Sequence, residues 1–446
     1  MERHPAPERP AMTSYGGLAE DAWRWSLQQV RWDDTGPWIP EAAGGDKPEK
    51  YRDGMHSGIG GLAHALAEIR LTRGWTAEEE KLARAIADRI RIAVPAETSI
   101  TYFDGLVSSI GALTTLGESG SKPVMDRITE LTTDNGWPES FLAPPKYRPD
   151  AVANDVTLGT GAVLMGALWA TRQGEDARSL ADRAADLLMG EREEPGNWQF
   201  IPRRFWTEES RAEMPNFSHG LAGIAAVLAI AGVELARLDL IDAARAGAEH
   251  LVTLGINDSK GFRVARVIPW EERHGDEYTY NWCHGGAGTS LLFRALEYAG
   301  VDKVAGETPA VWHRRCLDSV RYSGVPERLH PGFWDNDGRC CGTAGVGDVF
   351  LDAWRRDGDE QDLEFAVRLA DALVERAFQD DSTAYWRFVE HRNEEPLLPP
   401  GVGWMQGAAG IAAYLFRLQR VLDGGREAVE RMDNWWALSG AKPPLS

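Results

Sequence analysis

The sequence predicts an all-α protein of seven helical hairpins. Three observations lead there: a short glycine-centred pattern returns seven times, helical periodicity fills the intervals, and strand signals are few. In each copy a glycine is followed, three residues on, by a small residue and then by an apolar helical run.

In chain order, the first copy is HSGIGGLAHAL around Gly58, and the interval after it carries a helical stretch from Glu78 to Ile92 with apolar residues at three and four spacing. The second is YFDGLVSSIGAL at Gly105. The third, VTLGTGAVLMGAL at Gly159, precedes a similar stretch from Ala177 to Met189, and the fourth is FSHGLAGIAAVL at Gly220. WCHGGAGTSLLF at Gly285 is the fifth. CCGTAGVGDVFL at Gly342 is the sixth, followed by Leu363 to Ala377, and MQGAAGIAAYLF at Gly407 is the seventh. Each unit therefore reads as two helices and a turn. The leading glycine suits a turn with positive φ or a close backbone approach, and the small residue after it permits tight helix contact. Gly261 to Trp270 and Tyr385 to Val389 read as extended loops.

Seven such hairpins stack in a line or close into a ring, and periodicity does not choose between them. Closure would gather the seven turns at one end of a barrel. Those turns carry most of the cysteine and several histidines, which favours the ring. The domain is expected to run over residues 18–440, with a flexible tail over 1–17 and a short tail over 441–446.

Hydrophobic residues make up 43% and charged residues 26%, as in an ordinary globular chain. No run reaches the roughly eighteen apolar residues of a membrane span. The start, rich in charge and proline, lacks the apolar centre of a signal peptide, so a cytoplasmic location is expected. A net charge of −20 leaves no basic stripe for nucleic acid or anionic membrane.

Four cysteines are too sparse for a disulfide scaffold. Cys283 and the adjacent pair Cys340, Cys341 stand on two equivalent turns and together form a candidate set of three metal-ligating thiolates. A catalytic zinc keeps three protein ligands and one open position. The alternative is that they are small buried hydrophobes. Cys316, in a helical stretch away from any turn, reads as structural. Thiolate ligands around zinc would deprotonate a fourth, incoming thiol and favour conjugate addition.

Conjugate addition also requires a proton donor for the resulting enolate. His219, in the turn NFSHGLAG, is the leading candidate because imidazole titrates near neutrality. Asp155 lies four residues before Gly159 and reads either as a carboxylate reaching the mouth of the ring or as a local cap. His284 either points into the same space or packs behind the metal. His56 and His64 read as packing residues, and Gln406 is assigned no role. Asp335 and Asp337, just before the cysteine pair, read as orienting ligands, binding substrate or shaping the turn.

These motifs resemble the lanthionine synthetase C family from Ser57 to Leu422, most specifically in WCHGGAG and CCGTAG, with SHGLAG and the aspartate before the third turn in support. The resemblance implies a double-layered α/α toroid of seven hairpins with one zinc at the top of its cavity. It implies Cys283, Cys340 and Cys341 as zinc ligands, His219 as proton donor and Asp155 as catalytic partner. The implied reaction joins a cysteine thiol of a dehydrated precursor peptide to dehydroalanine or dehydrobutyrine, with a separate dehydratase of the kinase and lyase type as partner. Three departures stand out. Cys341 replaces the histidine of the family's usual Cys-His-Gly, Thr279 replaces an arginine frequent in bacterial cyclases, and His284 replaces their tyrosine. The last two put the substrate in question.

Three functional readings follow. One is a lanthipeptide cyclase, and the second a thiol transferase adding glutathione or another small thiol to dehydroamino acids in proteins. The third, a sugar-processing barrel suggested by 18 tryptophans, requires paired carboxylates and leaves the turn cysteines without purpose. The insertion from Gly255 to Tyr280 reads as a peptide contact or a plain surface loop.

Overall fold

The structure is a computed structural model, and it describes residues 14–429 apart from 41, 49, 209–211, 272–275, 328–335 and 390–396. Seven helices begin directly after the seven glycines: α2 (Ile59–Thr72), α4 (Leu106–Leu116), α6 (Thr160–Arg172), α8 (Leu221–Glu234), α10 (Gly286–Tyr298), α12 (Thr343–Asp357) and α14 (Ala408–Gly424). Each packs against the next in this order, and α14 packs back against α2. The ring is closed.

A second layer surrounds it, formed by α3 (Ala77–Ala93), α5 (Ser121–Glu130), α7 (Arg178–Gly190), α9 (Leu238–Leu254), α11 (Pro309–Arg321), α13 (Glu360–Arg376) and α1 (Tyr15–Gln28). Six of these pack on the inner helix that precedes them in the chain, whereas α1 packs on α14. The seventh hairpin is thus assembled from the two ends of the described chain. Helix α1 begins at Tyr15, three residues inside the segment read from sequence as a tail; residues 1–13 and 441–446 lie outside the described residues.

Sequence decides the layer. Helix α8 is buried from Leu221 through Gly232 without interruption, because it has neighbours on every side. Helix α13 buries only Asp362, Phe365, Ala366, Leu369, Ala370, Ala372 and Leu373, one face at helical spacing. Helix α1 is pinned by Arg73, whose guanidinium bonds Glu20 of α1 at 2.6 Å and Glu79 of α3 at 2.9 Å. Trp23 of α1 donates its indole N–H to the same Glu79 at 2.7 Å.

The glycine turns solve a capping problem. None of the seven inner helices has a side-chain cap. Instead the preceding loop folds over the helix start, and the first N–H donates to a carbonyl seven residues back. Ile59 bonds Arg52, Leu106 bonds Ser99, Thr160 bonds Ala153 and Thr343 bonds Asn336, each at 2.9 Å. Backbone donors exposed by the helix start are satisfied in this way. A Cβ on Gly58, Gly105, Gly159, Gly220, Gly285 or Gly342 would collide with the carbonyl oxygen six residues earlier. Their φ values run from −95° at Gly58 to −160° at Gly220, so the close approach, and not positive φ, requires glycine.

Short antiparallel strand pairs decorate the loops: β1 (Arg31–Asp33) with β2 (Gly36–Trp38), β3 (Ile256–Asp258) with β4 (Gly261–Arg263), β5 (Phe378–Gln379) with β6 (Ala384–Tyr385), and β7 (Arg387–Val389) with β8 (Leu397–Pro400). Two of the segments read as loops therefore hold paired strands. Ladders of two to four residues are too short for alternating periodicity to register. Among the described residues no helix is long and apolar enough to cross a membrane.

Candidate metal centre

The seven turns are hydrogen-bonded to one another in a closed circuit. Met405 N–H donates to the His56 carbonyl at 3.1 Å, His56 N–H to Phe103 at 3.0 Å and Tyr102 N–H to Thr157 at 2.8 Å. The Thr157 hydroxyl then donates to the Ser218 carbonyl at 3.1 Å. Ser218 N–H donates to Cys283 at 2.8 Å, Cys283 N–H to Cys340 at 3.3 Å, and Cys340 N–H to Met405 at 2.9 Å. All seven carbonyls in this circuit belong to the residue two before the helix-starting glycine. Equivalent positions on separate hairpins are thereby held edge to edge.

Three of these positions carry the thiols. Cys283 and Cys340 sit two residues before their glycines and Cys341 one before, and their sulfurs all lie within 4.8 Å of one another. The Cys283 and Cys341 sulfurs are 3.5 Å apart. All three are buried. Burial pushes the Cys283 and Cys341 thiols up, while hydrogen bonds from those two hold Cys340 well below the usual thiol range. The Asn281 side chain fixes the fifth turn, accepting from the Cys283 thiol at 3.3 Å and from the His284 N–H at 3.0 Å. Cys316, fully buried in α11, stands outside the cluster.

Beside the thiols stands a histidine–carboxylate pair. His219 Nδ1 lies 2.7 Å from Asp155 Oδ2. Asp155 is wholly buried, and it also accepts from the Thr157 hydroxyl at 2.6 Å and the Leu158 N–H at 3.1 Å. His219 retains partial exposure, with 20% of its side chain open to solvent. The carboxylate is therefore a fixed acceptor behind a ring that still meets the outside. His284 is buried with its ring centre 5.4 Å from that of His219; burial, and then His219 itself, push its imidazole well below the ordinary range, leaving it neutral. Phe200 packs on the other side of His219 at 5.2 Å. It belongs to loops built on a small second core that includes Leu142, Tyr147, Ile201 and Phe205.

Aromatic rings cross the bore next to these groups. Phe103 of the second turn meets Trp282 of the fifth at 6.4 Å, Trp282 meets Phe217 at 5.7 Å, and Phe103 meets His56 at 5.1 Å. Because the second and fifth turns lie on opposite sides of a seven-membered ring, the Phe103–Trp282 contact spans it.

A family model for lanthionine synthetase C-like protein matches residues 49–421. The chain belongs to the lanthionine synthetase C-like family. Among solved structures, nisin cyclase is similar with a TM-score of 0.56 and 16% identity, covering 85% of this chain and 92% of that one. D-mannose isomerase gives 0.48 and 11%, over 92% and 99% of the two chains. Unsaturated glucuronyl hydrolase from Bacillus sp. GL1 gives 0.44 and 13%, over 96% and 98%. No curated protein matches. The likeness to nisin cyclase is one of fold, a helical toroid.

In this lanthionine synthetase C-like chain the three sulfurs suit a tetrahedral ion. Zinc–sulfur bonds of about 2.3 Å imply sulfur separations of about 3.8 Å, inside the span observed. His56, read as packing, sets the edge of its ring against Phe103 at 5.1 Å, with Nδ1 2.7 Å from the Ser57 hydroxyl. Its position two before the turn glycine in the first copy is the register that Cys283 and Cys340 occupy in later ones. His64 is a packing residue, buried in α2 against Trp404 at 5.5 Å. Asp337 shapes its turn through Arg376 at 2.8 Å, and Asp335 lies outside the described residues. Thr279 is buried beside Gly285, and Gln406 is the last turn's counterpart of His219, His284 and Cys341. Ile268, in the insertion, pairs with Glu213 ahead of the fourth turn.

Proposed function

We propose that this chain is a zinc-dependent thioether-forming enzyme that joins cysteine thiols to dehydroalanine or dehydrobutyrine in a dehydrated precursor peptide. The observation that carries the reading is the juxtaposition of three buried cysteine sulfurs with the His219–Asp155 pair on neighbouring turns. Cys283, Cys340 and Cys341 would hold one Zn²⁺ per chain. When bound, the ion lowers the pKa of an incoming thiol and presents it as a thiolate.

The protein's own groups supply the rest. Addition forms a carbon–sulfur bond at Cβ of the dehydro residue, and the electron pair of the double bond moves to Cα and its carbonyl. His219 gives its proton to Cα and regains the one the incoming thiol releases, so the elements of the thiol are added across the double bond and nothing leaves. Asp155 orients the ring through Nδ1 and stabilises its protonated form, which leaves Nε2 for the substrate. His284, neutral and buried, adds no competing charge beside the imidazolium. A separate dehydratase would supply the acceptor.

A second reading, addition of glutathione to dehydroamino acids in proteins, uses the same groups. Thr279 and His284, standing where the resemblance leads one to expect arginine and tyrosine, favour keeping it. Incubating a dehydrated, cysteine-containing peptide with the protein, with and without glutathione, separates the two by mass spectrometry and thiol alkylation. Cyclisation removes free thiol at constant mass, and glutathione addition raises the mass. Neither change, from zinc-loaded protein, would overturn both.

A further inference from the structure

Arg339, the residue before the cysteine pair, is held at both ends. Its backbone N–H and that of Cys340 donate to a single carbonyl, that of Met405 on the seventh turn, at 2.8 and 2.9 Å. Its side chain reaches two inner helices at once. The guanidinium bonds Asp348 of α12 and donates to the Gly410 carbonyl of α14 at 3.4 Å, with its carbon 4.1 Å from the ring centre of Trp404. Gly410 makes the path possible, because a Cβ there would come within 2.8 Å of Arg339 Cδ. Both Arg339 and Asp348 are buried, at 7% and 5% exposure.

Asp348 is fixed from its other side as well. Its Oδ1 accepts from Arg417 of α14 at 3.0 Å, and Arg417 bonds Asp352 of α12 at 2.6 Å. Guanidinium and carboxylate thus alternate across the seam between α12 and α14. Such a buried network adds little net stability, since desolvation offsets the attraction, but the planar fork of an arginine accepts few orientations. We propose that Arg339 is a positioning residue of the metal centre, a strut from the α12–α14 seam that sets the direction in which Cys340 and Cys341 present their sulfurs.

Adjacent ligands need such a device. Along an extended chain successive side chains point to opposite sides, so two neighbouring cysteines serve one ion only where the backbone between them is turned and kept turned. Here the Cys340 and Cys341 sulfurs converge with that of Cys283 inside 4.8 Å. Anchoring residue 339 at its backbone and at the far end of its side chain keeps the turn from relaxing. A site held in its binding geometry binds more tightly, because the ordering is done before the ion arrives.

This inference rests on the zinc reading above, and its test separates the two. Wild type, Arg339→Met, Arg339→Lys, the double variant Arg339→Met with Asp348→Met, and Cys283→Ala are compared for zinc affinity by competition with a chromophoric chelator. The visible bands of the Co²⁺-substituted proteins and helix content by circular dichroism are recorded alongside. Removing an outer group that orients a metal ligand costs about 10–100-fold in affinity. Arg339→Met should lose that much and weaken the bands of tetrahedral Co²⁺. Arg339→Lys keeps the charge without the fork and should lose about tenfold. The double variant decides whether direction or charge matters, because it removes the carboxylate that Arg339 serves and leaves Arg417 paired with Asp352. A strut predicts that its affinity and bands stay as low as in Arg339→Met. Affinity within about threefold of wild type and unchanged Co²⁺ bands in the double variant would overturn the role of Arg339 alone. A wild type whose metal binding is unaffected by Cys283→Ala would overturn the zinc reading and this inference with it.

Discussion

Replacing Asp155 by asparagine keeps its volume and tests the histidine–carboxylate pair directly. Asp155 Oδ1 accepts from Leu158 N–H, and Oδ2 accepts from Thr157 Oγ1 and faces His219 Nδ1 at 2.7 Å. An asparagine oxygen serves only one side. Keeping the bond to the Leu158 N–H turns the amide NH₂ toward His219, which must then accept at Nδ1 and carry its proton on Nε2. The cationic ring loses a charge-assisted bond at a buried site, worth about 1.5–3 kcal/mol. At about 1.4 kcal/mol per decade, this predicts an Asp155→Asn rate reduced about 10–150-fold. The assay is single-turnover loss of free thiol from a dehydrated peptide, with zinc content measured in parallel. Equal zinc content and a rate within about twofold of wild type would refute the assignment of Asp155 to the proton donor.

Other perturbations address the metal, the turns and the pH response. Cys283→Ala and Cys341→Ala should each lose stoichiometric zinc by elemental analysis, whereas Cys316→Ala, at a buried position outside the cluster, should retain it. Gly220→Ala drives a Cβ into the Met214 carbonyl and should cost about 2–4 kcal/mol in urea unfolding. By contrast, Gly190→Ala meets open space at the end of α7 and should gain about 0.4–1 kcal/mol. Burial lifts the Glu139 carboxyl to about 7 against the opposing bonds from Ile100 and Ser99, with Glu97 and Asp155 adding repulsion. The folded state therefore holds this proton between the unfolded value near 4.5 and about 7, and the associated stability, on the order of 3 kcal/mol, is lost as pH rises through that window. Glu139→Gln should remove that part of the pH slope in unfolding titrations.

The inner layer was legible because its constraint repeats. A carbonyl six residues upstream excludes a side chain at six successive glycines, and the same exclusion recurs with each hairpin. Two turns with cysteine at matching register then identified the thiol cluster. What escaped had no local signature. Helix α1 has no glycine turn before it, and its partner α14 lies nearly the whole chain away, so only the assembled ring reveals the seventh hairpin. The strand pairs escaped because their ladders are shorter than one period of evidence.

The rings of Phe103, Trp282 and Phe217 across the bore carry a topological consequence. A toroid suggests a bead on a string, yet a barred bore admits no thread. A peptide substrate would therefore visit the centre as a bight, dipping in one thiol and its acceptor and withdrawing by the way it came. Both tails would stay outside throughout. Ring size would then be limited by how sharply the peptide can bend at the mouth, not by the width of a tunnel, and successive rings on one peptide would form without the chain ever becoming trapped.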